Sequence, residues 1–136
     1  MYETLFKEFL ESDDTLRIYQ DGNLLFSSDK DRLIPLVEYL DDTNAGNRRV
    51  VILDKVPGNA AALLSVLAGC TEVFSPLGSD IAAGTLDKYS IMYHFDDTVP
   101  YIRRDDSEEM CPMENLSLGK DPEEFYQALL EKIRGG

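Results

Sequence analysis

The sequence predicts a three-layer α/β domain built on a mixed sheet. An Asp-Gly hairpin comes first, four consecutive apolar residues then mark a buried strand, and helical and strand patterns alternate from there to the C-terminus. Alternation of this kind favours right-handed crossovers and parallel strands, so we expect an antiparallel hairpin followed by β-α-β-α-β. The 136 residues show no repeat and no linker, which predicts one domain over 1–136 with a C-terminal helix.

The first part of the chain has the pattern of a helix, a hairpin and a second helix. Apolar residues at i, i+3, i+4 and i+7 from Tyr2 indicate an amphipathic helix. Two β-prone runs then flank Asp21 and Gly22, a pair that tolerates the positive φ of a tight turn. A second helical stripe follows from Leu33 to Leu40.

The second part begins with the apolar run Val50 to Leu53, which is typical of a strand buried on both faces. An alanine-rich helix follows, and Gly69 is expected to end it. Asp121 is predicted to cap the last helix, because a proline and two glutamates come directly after it. The elements predicted after the buried strand are a helix over 57–69, a strand over 71–75, a helix over 79–90, a strand over 91–95 and a helix over 121–136.

Composition narrows the classes of partner. Thirteen basic and 26 acidic side chains give a net charge of −13, which repels phosphate backbones and anionic lipids. We therefore expect no nucleic-acid partner and no membrane partner, and no apolar run approaches the ~20 residues that span a bilayer. The acidic N-terminus is unlike a signal peptide, so a cytoplasmic protein with reduced thiols is predicted. A homo-oligomer is left open.

The loop after the buried strand is the first candidate ligand site. Ligands of such folds bind beyond the carboxyl ends of the strands, and this loop contains Asp54, Lys55, Gly58 and Asn59. Lys55 and the helix N-terminus at Gly58 would hold a phosphate or carboxylate, with glycine permitting close approach. The alternative is that Asp54 and Lys55 form an ordinary ion pair at the strand end.

The segment Cys-Pro-Met-Glu, residues 111–114, is the second candidate. Its form is that of a helix start, so Cys111 is either a cap residue, a reactive thiol whose thiolate the helix N-terminus stabilises, or a neutral contact in a pocket. Glu114 opposes the thiolate and is itself a candidate ligand contact. Cys70, between a buried helix and a strand, is expected to be an inert buried thiol.

The element order resembles that of the cytidine-deaminase-like fold. Zinc deaminases of that fold carry a H-x-E motif after the hairpin and P-C-x-x-C at the start of the next helix. The second position here reads Pro57-Gly58-Asn59-Ala60-Ala61, without thiolates, and the first contains neither histidine nor cysteine. Because catalytic zinc needs three protein ligands, we expect no metal site and no cofactor.

Three segments carry a closer resemblance: LDKVPGNAAALL, VPYI and CPMENL. They are similar to an uncharacterised family, a domain of unknown function found in anaerobic and thermophilic bacteria and archaea. The resemblance covers roughly residues 5–130 and implies a deaminase-like fold that lacks the zinc ligands. It implies no reaction.

Two classes of function remain. The first is binding of a nucleotide-like or other anionic metabolite at Asp54, Lys55, Gly58 and Asn59. The second is a metal-independent enzyme that uses Cys111 as nucleophile or transfer thiol. Binding is favoured, because no general base lies beside Cys111 in the sequence, and a purely structural oligomer is a weaker third option.

Overall fold

The computed structural model describes residues 2–31, 33–41, 45–55, 57–103 and 108–135, and the structural statements below refer to these residues. It contains five strands and six α-helices, together with one short 3₁₀ turn over Ala45–Asn47. In chain order these are α1 (Tyr2–Glu11), β1 (Leu16–Gln20), β2 (Asn23–Ser28), α2 (Ile34–Leu40), β3 (Val50–Asp54), α3 (Asn59–Leu67), β4 (Cys70–Ser79), α4 (Asp80–Lys88), β5 (Met92–Val99), α5 (Pro112–Ser117) and α6 (Pro122–Arg134).

The strands form one mixed sheet in the order β2-β1-β3-β4-β5. β1 pairs antiparallel with both β2 and β3, whereas β4 runs parallel to β3 and to β5. The turn between β1 and β2 has positive φ at Asp21 (51°) and at Gly22 (81°), which is why this pair can close the hairpin. The predicted antiparallel hairpin followed by β-α-β-α-β is thus confirmed.

The two faces of the central strand β3 pack against different helices, which gives the fold its three layers. Val50 and Ile52 point to a core shared with α2, α3, α4 and α6, while Val51 and Leu53 point to the opposite face, which Phe9 of α1 covers. All four side chains are buried, as the unbroken apolar run predicts. The sheet therefore lies between α1 on one side and the remaining helices on the other.

Helix α3 lies at the centre of the larger layer and packs against α2, α4, α5 and α6. Small alanine side chains dominate its first half, which lets neighbouring backbones approach it closely. Gly69 follows the helix with φ of +78°, and a Cβ there would lie 2.1 Å from the carbonyl oxygen of Arg48. The predicted end of this helix at Gly69 is confirmed.

Strands β4 and β5 are longer than the sequence predicts. The sequence predicts strands over 71–75 and 91–95, whereas β4 ends at Ser79 and β5 at Val99. The added part of β4 contains Pro76, which lacks an N–H, and Gly78, a residue type that weakens strands. Pairing with β5 instead skips Pro76 and resumes at Leu77, and Gly78 is required because a Cβ there would lie 2.3 Å from the Phe95 ring. The backbone pairing with β5 thus overrides the local preference of two residues.

Hydrogen bonds join the residues directly after β5 to those directly before α5. Arg103 and Met110 form an antiparallel bridge, and the Cys111 N–H donates to the Ile102 oxygen at 2.9 Å. Tyr101 Oη donates to the Glu108 oxygen at 2.6 Å. These bonds bring Cys111 back beside the start of α3. No helix within the described ranges has the length and apolarity needed to cross a bilayer.

Candidate functional site

A cavity of about 460 Å³ opens at the carboxyl end of β3. It lies between the start of β1, the segment before α2, the first turn of α3 and the start of α5. Its walls are formed by Thr15, Leu16, Asp31, Leu33, Asp54, Lys55, Gly58, Ala60, Ala61, Ile102, Arg103, Cys111, Met113 and Glu114. This volume is within the range of small-molecule sites, roughly 300–1,000 Å³.

The cavity brings together most of the residues that the sequence analysis selected. Asp54, Lys55 and Gly58 lie on its walls from one side, and Cys111 and Glu114 lie on them from the other. These groups are about 55 positions apart in sequence, and the meeting of α3 with α5 makes them neighbours. Asn59 is the exception: its side chain is buried beneath the site.

Glu114 is the most unusual residue of the cavity wall, because its carboxylate is only 2% exposed. Oε1 accepts the backbone N–H of Asn59, the first residue of α3, and Oε2 accepts the N–H of Ile102 at 2.7 Å. The carboxylate therefore caps the N-terminus of a different helix. A negative charge is favourable there, since the helix dipole is positive at this end.

Gly58 makes room for this carboxylate. A Cβ at residue 58 would lie 2.9 Å from Oε1 of Glu114 and 2.8 Å from Cγ1 of Ile102. Its φ of −89° is ordinary, so glycine is needed here for space and not for backbone conformation. The close approach that the sequence analysis assigned to a ligand is made in this structure by a side chain of the chain itself.

The Asn59 side chain joins three helices below the cavity. Its Nδ2 donates to Ser117 Oγ at 2.9 Å, and its Oδ1 accepts from Thr85 Oγ1. Ser117 Oγ in turn donates to the Glu114 carbonyl oxygen at 2.5 Å. Both polar atoms of the Asn59 side chain, Nδ2 and Oδ1, have partners within the protein, which is the pattern of a structural residue.

Lys55 lies on the cavity wall, but its ammonium group is directed to α1. Nζ donates to the Ser12 oxygen at 2.9 Å and lies 4.9 Å from the centre of the Phe9 ring. Both contacts stabilise the packing of α1 on the sheet. The ammonium group predicted to hold a ligand anion is thus directed to the end of α1 in the described structure.

A backbone donor remains at the start of α3. Ala62 donates its backbone N–H to the backbone oxygen of Gly58 at 3.0 Å. The preceding N–H group, of Ala61, has no acceptor in the described part of the chain, and Ala61 lines the cavity. This N–H group is therefore available to an acceptor atom on a ligand.

The two cysteines differ as the sequence predicts. Cys111 occupies the N-cap position of α5 and is half-buried, but its thiol makes no capping hydrogen bond. Cys70 is buried, and this burial raises the pKa of its thiol to about 12, although hydrogen bonds to backbone groups of Glu72 and Ile52 partly oppose the shift. Cys111 is consequently the cysteine with a thiol on the cavity wall.

Several wall residues were missed by the sequence analysis. Asp31 and Thr15 reach the cavity because β1 and the loop before α2 pass beside the end of β3, and Ile102 and Arg103 reach it through the segment after β5. Ile102 belongs to the VPYI segment, one of the three segments that carry the family resemblance. The other contacts depend on strand order, which periodicity does not reveal.

The described residues contain no group of three or more His, Cys, Asp or Glu side chains arranged to hold a metal ion. His94 is on the exposed side of β5, where its Nε2 lies 2.5 Å from Glu72 and its ring stacks on Phe74 at 4.4 Å. His94 is not among the residues that line the cavity, and its contacts are those of an exposed strand residue. A second, shallow depression of about 390 Å³ near Asp87 and Tyr93 contains no buried polar side chain.

Comparison with known proteins agrees with this fold. The model of a family described as a domain of unknown function, DUF1893 (TM1506), matches residues 5–133. The chain belongs to this family. Among solved structures, the crystal structure of a DUF1893 family protein (TM1506) from Thermotoga maritima matches with a TM-score of 0.85 and 27% sequence identity, over 96% of this chain and 88% of that one. No curated protein gives a significant match. DUF1893 membership therefore supports the fold and supplies no activity.

Proposed function

We propose that this DUF1893 protein binds a small molecule in the cavity at the carboxyl end of β3. The observation that carries the proposal is the enclosure of about 460 Å³ by residues from both candidate segments, including Gly58, Cys111 and Glu114. The position agrees with the general location of ligands in α/β sheets, beyond the carboxyl ends of strands. We also propose that the scaffold is of the cytidine-deaminase-like type, on the basis of its element order, and operates without zinc.

A nucleotide-like or other anionic ligand has less support than a ligand without negative charge. The N–H group of Ala61, which has no acceptor among the described residues, favours an acceptor atom on the ligand. The Glu114 carboxylate, however, is already bound to the same helix end, and the Lys55 ammonium is directed to Ser12. A second negative charge beside a buried carboxylate is unfavourable, since like charges repel strongly where water is excluded.

A thermal-shift screen with single-ring metabolites tests the proposal. A ligand present at about 100 times its Kd stabilises the folded protein by roughly 2.7 kcal/mol, which corresponds to a rise in Tm of several degrees. Cys111→Phe fills the cavity from its wall and should remove the shift. Leu118→Phe, at the other end of α5 and 40% exposed, is the matched control and should keep it. Equal shifts in both variants would move the binding site elsewhere.

A second candidate is metal-independent chemistry at Cys111. It is favoured by the position of the thiol, which lies on the wall of the same cavity and is not used as a helix cap. A nucleophilic cysteine reacts as its thiolate and must be accessible, so iodoacetamide should alkylate Cys111 of the native protein much faster than buried Cys70. Labelling of Cys111 no faster than that of Cys70 would leave Cys111 as a binding contact.

A further inference from the structure

A buried carboxylate on a cavity wall needs partners, and Glu114 has partners for only part of its capacity. The two oxygens of an ionised carboxylate offer about four acceptor positions. Two of these are filled, by the N–H groups of Asn59 and Ile102. No other donor to these oxygens is found within the described ranges. The remaining acceptor positions therefore lie on a residue that is only 2% exposed and that lines the cavity.

Glu124 of α6 has the same local sequence position as Glu114 but forms different hydrogen bonds. Glu114 and Glu124 both occupy the third position of a helix that begins with proline. Glu124 turns back to its own helix, where Oε1 accepts the N–H of Asp121 at 3.0 Å in a capping box on the exposed surface. Glu114 leaves its own helix uncapped and is held in the interior by two backbone donors from other segments.

The other charged groups on the wall also favour a ligand that donates hydrogen bonds. Asp31 contributes another carboxylate, the Lys55 ammonium is bonded to Ser12, and the remaining described cation on the wall, Arg103, is exposed. An anion entering this cavity would meet a fixed carboxylate. A planar N–H donor would meet a fixed acceptor, and charge-assisted bonds of this kind are among the strongest in proteins.

We propose that Glu114 is the ligand-recognition residue of this cavity and that it accepts N–H donors from a planar ligand of the amidine, guanidine or amino-heterocycle class. The inference rests on the proposed function and specifies the ligand class of that site. The two backbone N–H groups fix the carboxylate before the ligand arrives, so little ordering is needed on binding. Gly58 permits this position, because any Cβ there would displace the carboxylate.

Benzamidine and benzoate form a matched pair of probes, with the same ring and shape and with opposite charge. Amide NMR of the wild-type protein is recorded during titration of each probe to millimolar concentration. We expect benzamidine to shift the Asn59 and Ile102 resonances in a saturable manner and benzoate to bind at least about tenfold more weakly. Glu114→Gln should abolish this preference, and Glu124→Gln should keep it.

The outcomes are distinguishable. Benzoate binding at these amides as tightly as benzamidine overturns the inference while leaving a ligand cavity in place. No saturable shift with either probe overturns the inference as well, and the metabolite screen then decides the proposed function separately. A purely structural Glu114 would lower Tm on change to Gln without altering the ratio of the two affinities. The wild-type titrations decide the question even where Glu114→Gln does not fold.

Discussion

Lys55 shows how a single residue can take a role different from the one its sequence context indicates. It follows a buried strand and precedes a helix, which is the position of an anion-binding lysine. In the fold its ammonium group instead bonds to Ser12 at the end of α1 and lies over the Phe9 ring. Lys55 therefore connects the C-terminal end of β3 to the C-terminal end of α1, and we expect its replacement to affect stability first.

Lys55→Ala should lower the free energy of unfolding by roughly 1–2 kcal/mol, because a charge-assisted hydrogen bond and a cation–π contact are lost together. Lys30→Ala is the control, since Lys30 pairs with Glu38 on the exposed surface at 2.6 Å and should cost at most ~0.5 kcal/mol. Urea denaturation measures both. Unchanged stability in Lys55→Ala, combined with loss of ligand binding, would return Lys55 to the ligand-binding role.

Cys70 makes stability sensitive to alkaline pH. Its pKa in the folded state is about 12 because burial disfavours the thiolate, whereas the unperturbed value is 9.0. Because the pKa is higher in the folded state than in the unfolded state, the neutral thiol contributes to the free energy of unfolding. This contribution is complete below pH ~9 and is lost as pH rises toward ~12, at about 1.4 kcal/mol per pH unit. Between about pH 8 and pH 10, wild type should lose roughly 1 kcal/mol more than Cys70→Ala. Parallel losses in urea denaturation would show that the Cys70 thiolate is tolerated.

At the scale of elements, the local sequence predicts the hydrogen bonds at the start of α6 but not those at the start of α5. Both helices begin with proline and carry glutamate at the third position. For α6 the sequence predicts the cap correctly, because Asp121 and Glu124 satisfy each other three residues apart. For α5 the boundary is predicted but the bonding is not. Glu114 bonds to a residue 55 positions away, and no local pattern contains that partner.

Removal of each cap residue tests this difference. Asp121→Ala should destabilise the protein by about 1 kcal/mol, because the Glu124 N–H loses its acceptor. Cys111→Ala should change stability by less than ~0.5 kcal/mol, because the thiol makes no capping bond. Thermal unfolding of the two variants beside wild type is the measurement. A cost at Cys111 equal to that at Asp121 would show that the thiol acts as a cap after all.

At the scale of the whole molecule, the sequence predicts the succession of elements and the mixed direction of the strands, but neither the order of the strands in the sheet nor the cavity. The Val50–Leu53 run and the Asp21-Gly22 turn are local signals, and they indicate a buried strand and a hairpin. The predicted β4 was too short, because the pairing with β5 extends this strand and Gly78 leaves space there for the Phe95 ring of the neighbouring strand. The cavity forms where five chain segments meet, so its missing walls, such as Asp31, required the assembled fold.

In the sequence resemblance to zinc deaminases, Gly58 and Ala61 stand at the two thiolate positions of P-C-x-x-C. Both residues line the cavity, and the described residues contain no group of three or more His, Cys, Asp or Glu side chains arranged to hold a metal ion. We predict that purified protein carries no stoichiometric zinc and does not deaminate cytidine. Elemental analysis after dialysis without chelator is the check. About one zinc per chain, retained at neutral pH, would contradict it.

Protection of Cys111 from alkylation tests the central claim, that a small molecule occupies this cavity. The compound that raises Tm most in the metabolite screen is added before iodoacetamide, and both thiols are followed by mass spectrometry, with buried Cys70 as the internal reference. Cys111 lies on the cavity wall, so a ligand that fills the cavity should cover it, and the rate of alkylation should fall about tenfold at a concentration about ten times Kd. An unchanged Cys111 rate at saturating, stabilising ligand would place the binding site elsewhere.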